Sequence, residues 1–336
     1  MKELNNYDYP IDIVLPWVDQ NDPNWLKKYN QFQIKKNNDD AETRFRDYGT
    51  LKFLFRSIEK FAPWVNHIYL ITDHQTPDWL NKSHDKLILI NHDEYIEHKY
   101  LPTFDSNLIE LSLPNIDSLA EHFICFNDDT FINRPVEPKD FFDKNGNPRD
   151  TLAFNAIMPM SIFDHTYINN LSVLNQQYNK FERVRHLLPK LFNIRNGRWN
   201  IFTLLLLPWP RFTRFFDPHI PTSFLKSTYT TMIEQHPEMI TETGFEHLRS
   251  EKDFSNWLIR YEQMLSGKFT PRYFKFGVQY GLDNLEAAIR DLIKSKHHLI
   301  NINDSNHLTD ADFKAATNQL VGVFSKKFPD KSSFEV

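Results

Sequence analysis

Four short aliphatic runs, separated by segments with helical spacing, constrain the fold of the first half of the chain. The runs, each a candidate buried strand, are residues 11–15, 67–72, 87–90 and 122–126. Between them, residues 50–61 place apolar side chains at helical intervals and stop before Pro63, and residues 106–113 end before Pro114. Strands that alternate with helices predict an α/β fold with a mainly parallel, doubly wound sheet.

The sequence pattern in the rest of the chain predicts helices that pack on this sheet. Residues 1–150 form the predicted α/β part, and residues 151–282 are predicted to be a helical cap or insertion that completes the site. Residues 283–336 are predicted to be a helical C-terminal extension. The helices predicted in these two later parts are 222–235, 253–266, 284–293 and 310–324, together with pieces of 169–191.

Composition favours a soluble protein of a reducing compartment. The net charge is −5 and no polybasic run stands out, which argues against a nucleic-acid partner. The single cysteine, Cys125, cannot form an internal disulfide. The N-terminus has no signal-peptide pattern, and no apolar run approaches the ~20 residues that span a bilayer. We therefore expect a cytoplasmic location, at most peripheral to the inner face of the membrane.

Acidic residues follow each of the four predicted strands. Asp19 follows the first strand, Asp73 the second, Asp93 the third, and Asn127-Asp128-Asp129 the fourth. The carboxyl ends of parallel strands share one edge, where open α/β sheets bind ligands. Carboxylates gathered there would repel one another unless a cation lay among them. The sequence therefore predicts a ligand site at this edge.

The motif Asn127-Asp128-Asp129 is the sharpest of these clusters. Adjacent carboxylates at a strand end can hold Mg²⁺ or Mn²⁺ against a diphosphate, where the cation neutralises charge that shifts to the leaving phosphate. A turn with helix-capping aspartates would contain the same residue types. The motif alone leaves both interpretations open.

Two further groups are candidate substrate contacts with structural alternatives. Arg44 and Arg46 could grip a phosphate with Asp47 orienting one of them, or the three could form a solvated charged helix cap. Asp105 and Asn107 stand at the start of a predicted helix, either in a substrate loop or as an ordinary N-cap.

The second half of the chain offers a candidate base and a candidate phosphate clamp. His219 lies between two prolines in a loop predicted to be stiff and extended, and histidine can act as a general base near neutral pH. Arg249 could bind a phosphate bidentately, or it could pair with Asp253 at a helix start. Trp17 could stack on a base or sugar, although tryptophans more often pack in a core.

Longer stretches around these residues form a recognisable pattern. They are IDIVLPWVD at residues 11–19 with Asp22-Pro23, RFRD at 44–47, LFRSIEKFAP at 54–63, LPTFDSN at 101–107, EHFICFNDD at 121–129, DPHIP at 217–221 and residues 246–253 before Trp257. In order and spacing they resemble the four conserved regions of the Stealth family. That family includes bacterial capsular-polysaccharide phosphotransferases and the enzyme that tags lysosomal proteins with GlcNAc-1-phosphate. Leu15-Pro16 and Asp105 depart from its usual residues, and neither departure removes a carboxylate.

The resemblance implies a Rossmann-like or GT-A-like enzyme of capsular or exopolysaccharide synthesis. Such an enzyme would transfer a sugar-1-phosphate from a UDP-sugar, or another nucleotide-sugar, to a hydroxyl of a glycan or lipid-linked oligosaccharide acceptor, releasing UMP. It further implies that Asp128 and Asp129 contact the metal or diphosphate and that Asp19 is an essential acid. His219 would then be the base and Arg249 the phosphate clamp, with Asp253 in a key place of the fourth region.

The sequence is also compatible with two rival functions. A metal-dependent glycosyltransferase would also use strand-end aspartates, but it would move the sugar alone and release UDP. A non-catalytic glycan-binding protein would have a degenerate site. The aromatic, proline-rich stretch 199–216 could touch a membrane that holds a lipid-linked acceptor, or it could pack in the core.

Overall fold

The computed structural model describes residues 7–33, 45–304 and 308–336. Its strands are β1 (Ile11–Pro16), β2 (Ile68–Thr72), β3 (Leu87–Asn91), β4 (His122–Cys125), β5 (Thr130–Ile132), β6 (Arg149–Asp150), β7 (Thr222–Leu225), β8 (Thr270–Pro271), β9 (Gly277–Gly281) and β10 (Leu299–Asn303). Its α-helices are α1 (Pro23–Gln33), α2 (Leu51–Phe61), α3 (Ser106–Leu111), α4 (His165–Gln177), α5 (Lys180–Leu191), α6 (Trp199–Leu206), α7 (Lys226–Gln235), α8 (Glu238–Phe245), α9 (Trp257–Leu265), α10 (Leu285–Lys294) and α11 (Asp310–Lys327).

The central sheet confirms the predicted α/β architecture. Its strand order is β3-β2-β1-β4-β7, and the first four strands run parallel. Ile13 of β1 pairs with Ile68 on one side and with Ile124 on the other, so β1 lies at the centre. Because these four strands are parallel, the residues that follow them meet at one edge.

Helices cover both faces of this sheet, as a doubly wound fold requires. Alternate residues of β1 point to opposite faces, so Val14 belongs to one core cluster and Ile13 to the other. The first cluster contains side chains of α3, α4, α5, α7 and α9, and the second those of α2, α10 and α11. The cap and the C-terminal part therefore pack on opposite faces of the sheet. The boundaries of the three predicted parts stay a prediction.

The predicted helix 222–235 is wrong at its beginning. Thr222–Leu225 is instead an antiparallel edge strand on β4, and the helix starts at Lys226. Gln263 of α9 closes the outer side of this strand, since its amide oxygen accepts the Leu225 N–H at 2.9 Å and its Nε2 donates to the Ser223 carbonyl at 3.0 Å. Partners outside the segment therefore satisfy backbone groups that a helix would have satisfied locally.

The C-terminal extension is not purely helical. Residues 299–303 form β10, which pairs antiparallel with β5 and parallel with β9 in a second, three-stranded sheet. The Ile302 N–H donates to the Asp129 carbonyl at 2.9 Å, so this sheet abuts the turn after β4. Among the residues described, none of the helices combines the length and apolar composition that crossing a bilayer requires.

Candidate active site

A cavity of about 460 Å³ opens at the carboxyl edge of the central sheet. Residues that follow all four parallel strands contribute to its wall, as the strand-end pattern predicts. Nine of the predicted site residues line it: Trp17, Arg46, Asp47, Asp73, Asn107, Asp128, Asp129, His219 and Arg249. Its volume lies in the range of pockets that enclose small ligands.

Asp129 is anchored by two side-chain hydrogen bonds. Its Oδ1 accepts hydrogen bonds from Asn301 Nδ2 at 2.7 Å and from the Thr130 hydroxyl at 3.3 Å. Burial raises the pKa of Asp129, and the nearby His219 imidazole partly offsets that rise. The carboxylate is thus held in one orientation and shares its electrostatic environment with the candidate base.

Asp128 is open to the cavity but lies close to other acids. The surrounding protein displaces enough bulk water to raise the pKa of Asp128, and the charges of Asp129 and Asp47 raise it further. Burial also raises the pKa of Tyr48, with added contributions from Asp129 and Asp304. The cluster therefore gathers like charges whose mutual repulsion a bound cation would relieve.

Asp128 and Asp129 fit a divalent cation as part of a mixed ligand set. Among the residues the structure describes, no three His, Cys, Asp or Glu side chains form a group that could hold a metal ion by themselves. Mg²⁺ characteristically takes one or two protein carboxylates and completes its octahedron with water and substrate phosphates. Two adjacent carboxylates on a cavity wall match that requirement.

His219 lies in a backbone conformation that side-chain-bearing residues rarely adopt. Its φ is 47°, so the predicted extended conformation is wrong at this residue. Left-handed backbone of this kind costs about 1–3 kcal/mol and persists where the surroundings fix it. Here the flanks are fixed, because Asp217 accepts hydrogen bonds from Arg260 Nη1 at 2.7 Å and Arg214 Nε at 3.0 Å, and Ile220 is buried. In this conformation the His219 side chain lines the cavity.

Arg249 also lines the cavity. Its Nη2 donates to the Ser106 hydroxyl at 2.7 Å, and its Nε lies 3.8 Å from Oδ1 of Asp105. The guanidinium also lies over the Phe163 ring, 5.0 Å from the centroid. These contacts orient Arg249 while leaving part of the side chain accessible to a ligand.

Asp105 and Asp253 form a buried carboxyl pair behind Arg249, so neither lines the cavity. Asp105 accepts the Asn107 N–H at 3.0 Å as the N-cap of α3. Asp253 accepts the Ser250 N–H and the Ser250 hydroxyl, each at 2.7 Å. Burial and the adjacent Asp105 raise the pKa of Asp253. Asp105 therefore lies next to Arg249, and Asp253 lies next to Asp105, outside the cavity lining.

Asp253→Asn is expected to flatten the pH dependence of stability. The raised pKa means that folded Asp253 keeps its proton at pH values where the unfolded chain, with a pKa of about 3.9, has lost it. This carboxyl therefore contributes stability that is fully present below pH ~4 and is lost as pH rises through the folded value. Urea unfolding of both proteins at several pH values between 4 and 8.5 measures the two slopes.

Asp78→Asn, a change at an exposed aspartate, is the matched control for that experiment. It should leave the slope of the unfolding free energy against pH at the wild-type value. An Asp253→Asn slope equal to that of the control would show that Asp253 does not hold a proton in the folded protein.

Asp19 does not line the cavity; its Oδ1 accepts the Asn21 N–H at 2.8 Å, and its charge contributes to the raised pKa of Asp47. It thus lies beside the acidic cluster, and its predicted role stays a prediction. Arg44 lies outside the described residues.

The structure adds residues that the sequence analysis did not select. Asn303, the last residue of β10, and Asp304, the next residue, line the cavity, and Asp304 Oδ2 lies 3.7 Å from Arg46 Nε. Their signal was the same strand-then-acid pattern, in a segment interpreted only as helical. Glu110 also lines the cavity; burial raises its pKa to about 7, and Arg249 partly offsets that rise.

Two models of one protein family match this chain. Residues 9–36 match the family model of Stealth protein conserved region 1, and residues 44–150 match that of conserved region 2. The predicted likeness of residues 217–221 and 246–253 to the third and fourth regions stays a prediction.

The similarity to curated relatives extends over almost the whole chain. The exopolysaccharide phosphotransferase cps2G of Lactiplantibacillus plantarum is 43% identical, covering 97% of this chain and 96% of that protein. A capsular polysaccharide phosphotransferase WcwK of Streptococcus pneumoniae is 38% identical, covering 97% and 98%. The receptor polysaccharide phosphotransferase WefC of Streptococcus oralis is 34% identical, covering 97% and 99%.

A solved structure titled WbbM bifunctional glycosytransferase, apo form, aligns with 98% of this chain and 53% of its own. Its TM-score of 0.35 and its identity of 11% are too low to bear on the chemistry. The relatives that align over almost the whole chain, together with the two matched regions, show that this chain belongs to the Stealth family and is a phosphotransferase.

Proposed function

We propose that this phosphotransferase moves a sugar-1-phosphate from a UDP-sugar to a hydroxyl of a glycan acceptor in capsular or exopolysaccharide synthesis. The acceptor oxygen forms a bond to the phosphorus next to the sugar. The bond from that phosphorus to the oxygen bridging the two phosphates breaks, and UMP leaves with the bridging oxygen. The sugar C1–O bond stays intact, so the anomeric configuration is retained. The acceptor loses one proton.

The observation that carries this proposal is one cavity containing strand-end carboxylates, a histidine and an arginine. Asp128 and Asp129 supply hard oxygen ligands, His219 a proton acceptor and Arg249 a fork-shaped cation. Phosphoryl transfer needs positioning and charge stabilisation more than covalent chemistry from the protein. The lining provides both kinds of group.

Asp128 and Asp129 would hold Mg²⁺ or Mn²⁺. Such an ion, when bound, supplies neutralisation of the charge that develops on the leaving phosphate. The chain's own contribution is to hold Asp129 in place, through the Asn301 amide on its carboxylate and the backbone bond from Ile302 N–H to its carbonyl.

His219 would accept the proton of the attacking hydroxyl. This role is supported by its fixed backbone and by its proximity to Asp129, one of the carboxylates that would position the diphosphate.

Arg249 and Asn107 would bind phosphate or sugar oxygens of the donor. Arg249 is oriented by Ser106 and Asp105, which leaves its charge available to an anion. Asn107 is buried at 3% exposure, and its Nδ2 reaches no acceptor within the described part of the chain. A buried donor at a cavity wall is costly unless a ligand satisfies it.

Release of UMP, measured by chromatography of the nucleotide products, is the expected result with UDP-sugars and a glycan acceptor. EDTA should abolish that release, and added Mg²⁺ or Mn²⁺ should restore it, because the carboxylate site requires the cation. A donor radiolabelled at the phosphorus next to the sugar should transfer its label to the acceptor.

The same assay separates the rivals. Label retained in released UDP would replace this proposal with that of a metal-dependent glycosyltransferase. Absence of any nucleotide product across a panel of nucleotide-sugars and glycan acceptors would favour a binding protein. Heat-denatured protein in the same mixtures is the control for spontaneous donor hydrolysis.

A further inference from the structure

Helix α6 exposes its apolar residues and buries a polar one, the reverse of a soluble amphipathic helix. Ile201, Leu204 and Leu205 are 64%, 60% and 63% exposed, and Trp209 just beyond the helix is 53% exposed. Thr203 is fully buried, and its hydroxyl accepts the Phe154 N–H at 3.0 Å. The hydrogen bond between Thr203 and Phe154 therefore fixes the orientation of α6, with its apolar face turned to solvent.

The segment around α6 carries charge of one sign. Residues 183–216 contain seven Lys and Arg and no Asp or Glu. The rest of the chain therefore has 32 basic and 44 acidic residues, a net charge of −12. Arg195 and Arg198 before the helix and Arg211 after it are exposed. Exposed aliphatic and tryptophan side chains bordered by arginines are the composition of an interfacial membrane anchor.

We propose that the α6 face, defined as Ile201, Leu204, Leu205 and Trp209 with Arg195 and Arg198, seats this protein on an anionic phospholipid surface. The apolar side chains enter the boundary between headgroups and acyl chains, and the arginines pair with lipid phosphates. A second copy of the chain fits this face less well. A two-fold contact through it would bring the same arginines of both copies together in one interface.

The α6 face is continuous with the loop that carries His219. Trp199 of α6 packs against Phe216, with ring centroids 4.3 Å apart, and Phe216 stands three residues before His219. Phe216 is itself fixed by its carbonyl, which accepts Arg260 Nη2 at 3.0 Å. The proposed lipid-binding face therefore lies next to the loop that carries His219. The inference itself does not depend on the proposed reaction.

Cosedimentation with vesicles tests the inference directly. Wild-type protein is expected to bind vesicles of phosphatidylcholine with one quarter phosphatidylglycerol more strongly than vesicles of phosphatidylcholine alone. Leu204→Ser/Leu205→Ser should lower the partition coefficient about tenfold or more, since two exposed leucines lose their apolar burial. Arg195→Gln/Arg198→Gln should lower it about fivefold per cation on the anionic vesicles only.

Ile293→Ser is the matched control, because Ile293 is a 72% exposed apolar residue of α10 beside Lys294. It should bind as wild type does, and circular dichroism checks that every variant is folded. Wild type that shows no preference for anionic vesicles, or a Leu204→Ser/Leu205→Ser protein that binds as the control does, overturns the inference. A wild-type dimer that dissociates on the same double change would reassign the face to contact between copies.

Discussion

Replacing Asp129 with Asn is expected to lower turnover about 10²- to 10⁴-fold while the protein stays folded. The amide keeps an oxygen that can accept the Asn301 hydrogen bond, so the anchoring of the side chain survives. It loses the negative charge that would bind the cation and that acts on His219. Initial rates of mononucleotide release, with urea unfolding of the same preparations, measure both parts of this result.

The matched control is Asp93→Asn. Asp93 also follows a strand of the sheet, but its side chain is 41% exposed, pairs with His74 and does not line the cavity. Its turnover should stay within about twofold of wild type. Mg²⁺ or Mn²⁺ should raise the thermal midpoint of wild type and of Asp93→Asn but not of Asp129→Asn. Near-normal turnover in Asp129→Asn would remove this carboxylate from the mechanism.

Arg260→Met is expected to cost about 3–5 kcal/mol of unfolding free energy, the largest stability effect of any change considered for this chain. Arg260 is 1% exposed and forms a bidentate pair with Asp150, Nε to Oδ2 at 2.6 Å and Nη2 to Oδ1 at 2.8 Å. Its Nη1 binds Asp217 at 2.7 Å. Methionine would leave two buried carboxylates without this compensating charge. Urea unfolding measures the loss.

Arg290→Met gives the comparison, because Arg290 pairs with Glu286 at 3.4 Å on an exposed helix face. That change should cost less than about 0.5 kcal/mol. Adding Asp150→Asn to Arg260→Met should recover part of the loss, since one unpaired buried charge disappears. If Arg260→Met unfolds at the same urea concentration as Arg290→Met, the buried network does not stabilise the fold as argued.

The hydrogen-bond network around Arg260 also restricts the position of His219, the candidate base. Asp217, held by Arg260, Arg214 and the Tyr261 hydroxyl at 2.9 Å, is two residues from His219. A variant that loosens this network without unfolding the protein should therefore displace His219. Asp129 should keep its position, because Asn301 holds it through a separate hydrogen bond. No sequence pattern indicated this connection, because Asp150 and Arg260 are 110 residues apart.

Sequence patterns predicted the parallel sheet and its ligand edge because those features depend on local order. Each of β1 to β4 is a short aliphatic run whose buried faces are encoded within the run itself. Once four such strands are parallel, the residues after them must share an edge, so Asp73, Asp128 and Asp129 line one cavity.

The errors fall where a partner distant in the chain decides the conformation. Thr222–Leu225 is a strand because β4 offers an open edge and Gln263 closes the other side. Asp304 reaches the site because β10 pairs with β5 next to Asp129. His219 takes a left-handed conformation because anchored neighbours on both sides impose it.

The sequence by itself determined the α/β class, the edge at which ligands would bind and nine of the side chains that line the cavity there, since hydrophobic periodicity and the residues that follow each strand are properties of short segments. Only the tertiary structure decided which acids face the cavity and which lie behind it. Asp128 and Asp129 line the wall, whereas Asp105 lies behind Arg249 and Asp253 lies against Asp105. It also decided that α6 turns its leucines to solvent. Burial depends on what packs against a residue from elsewhere in the chain, and no short segment contains that information.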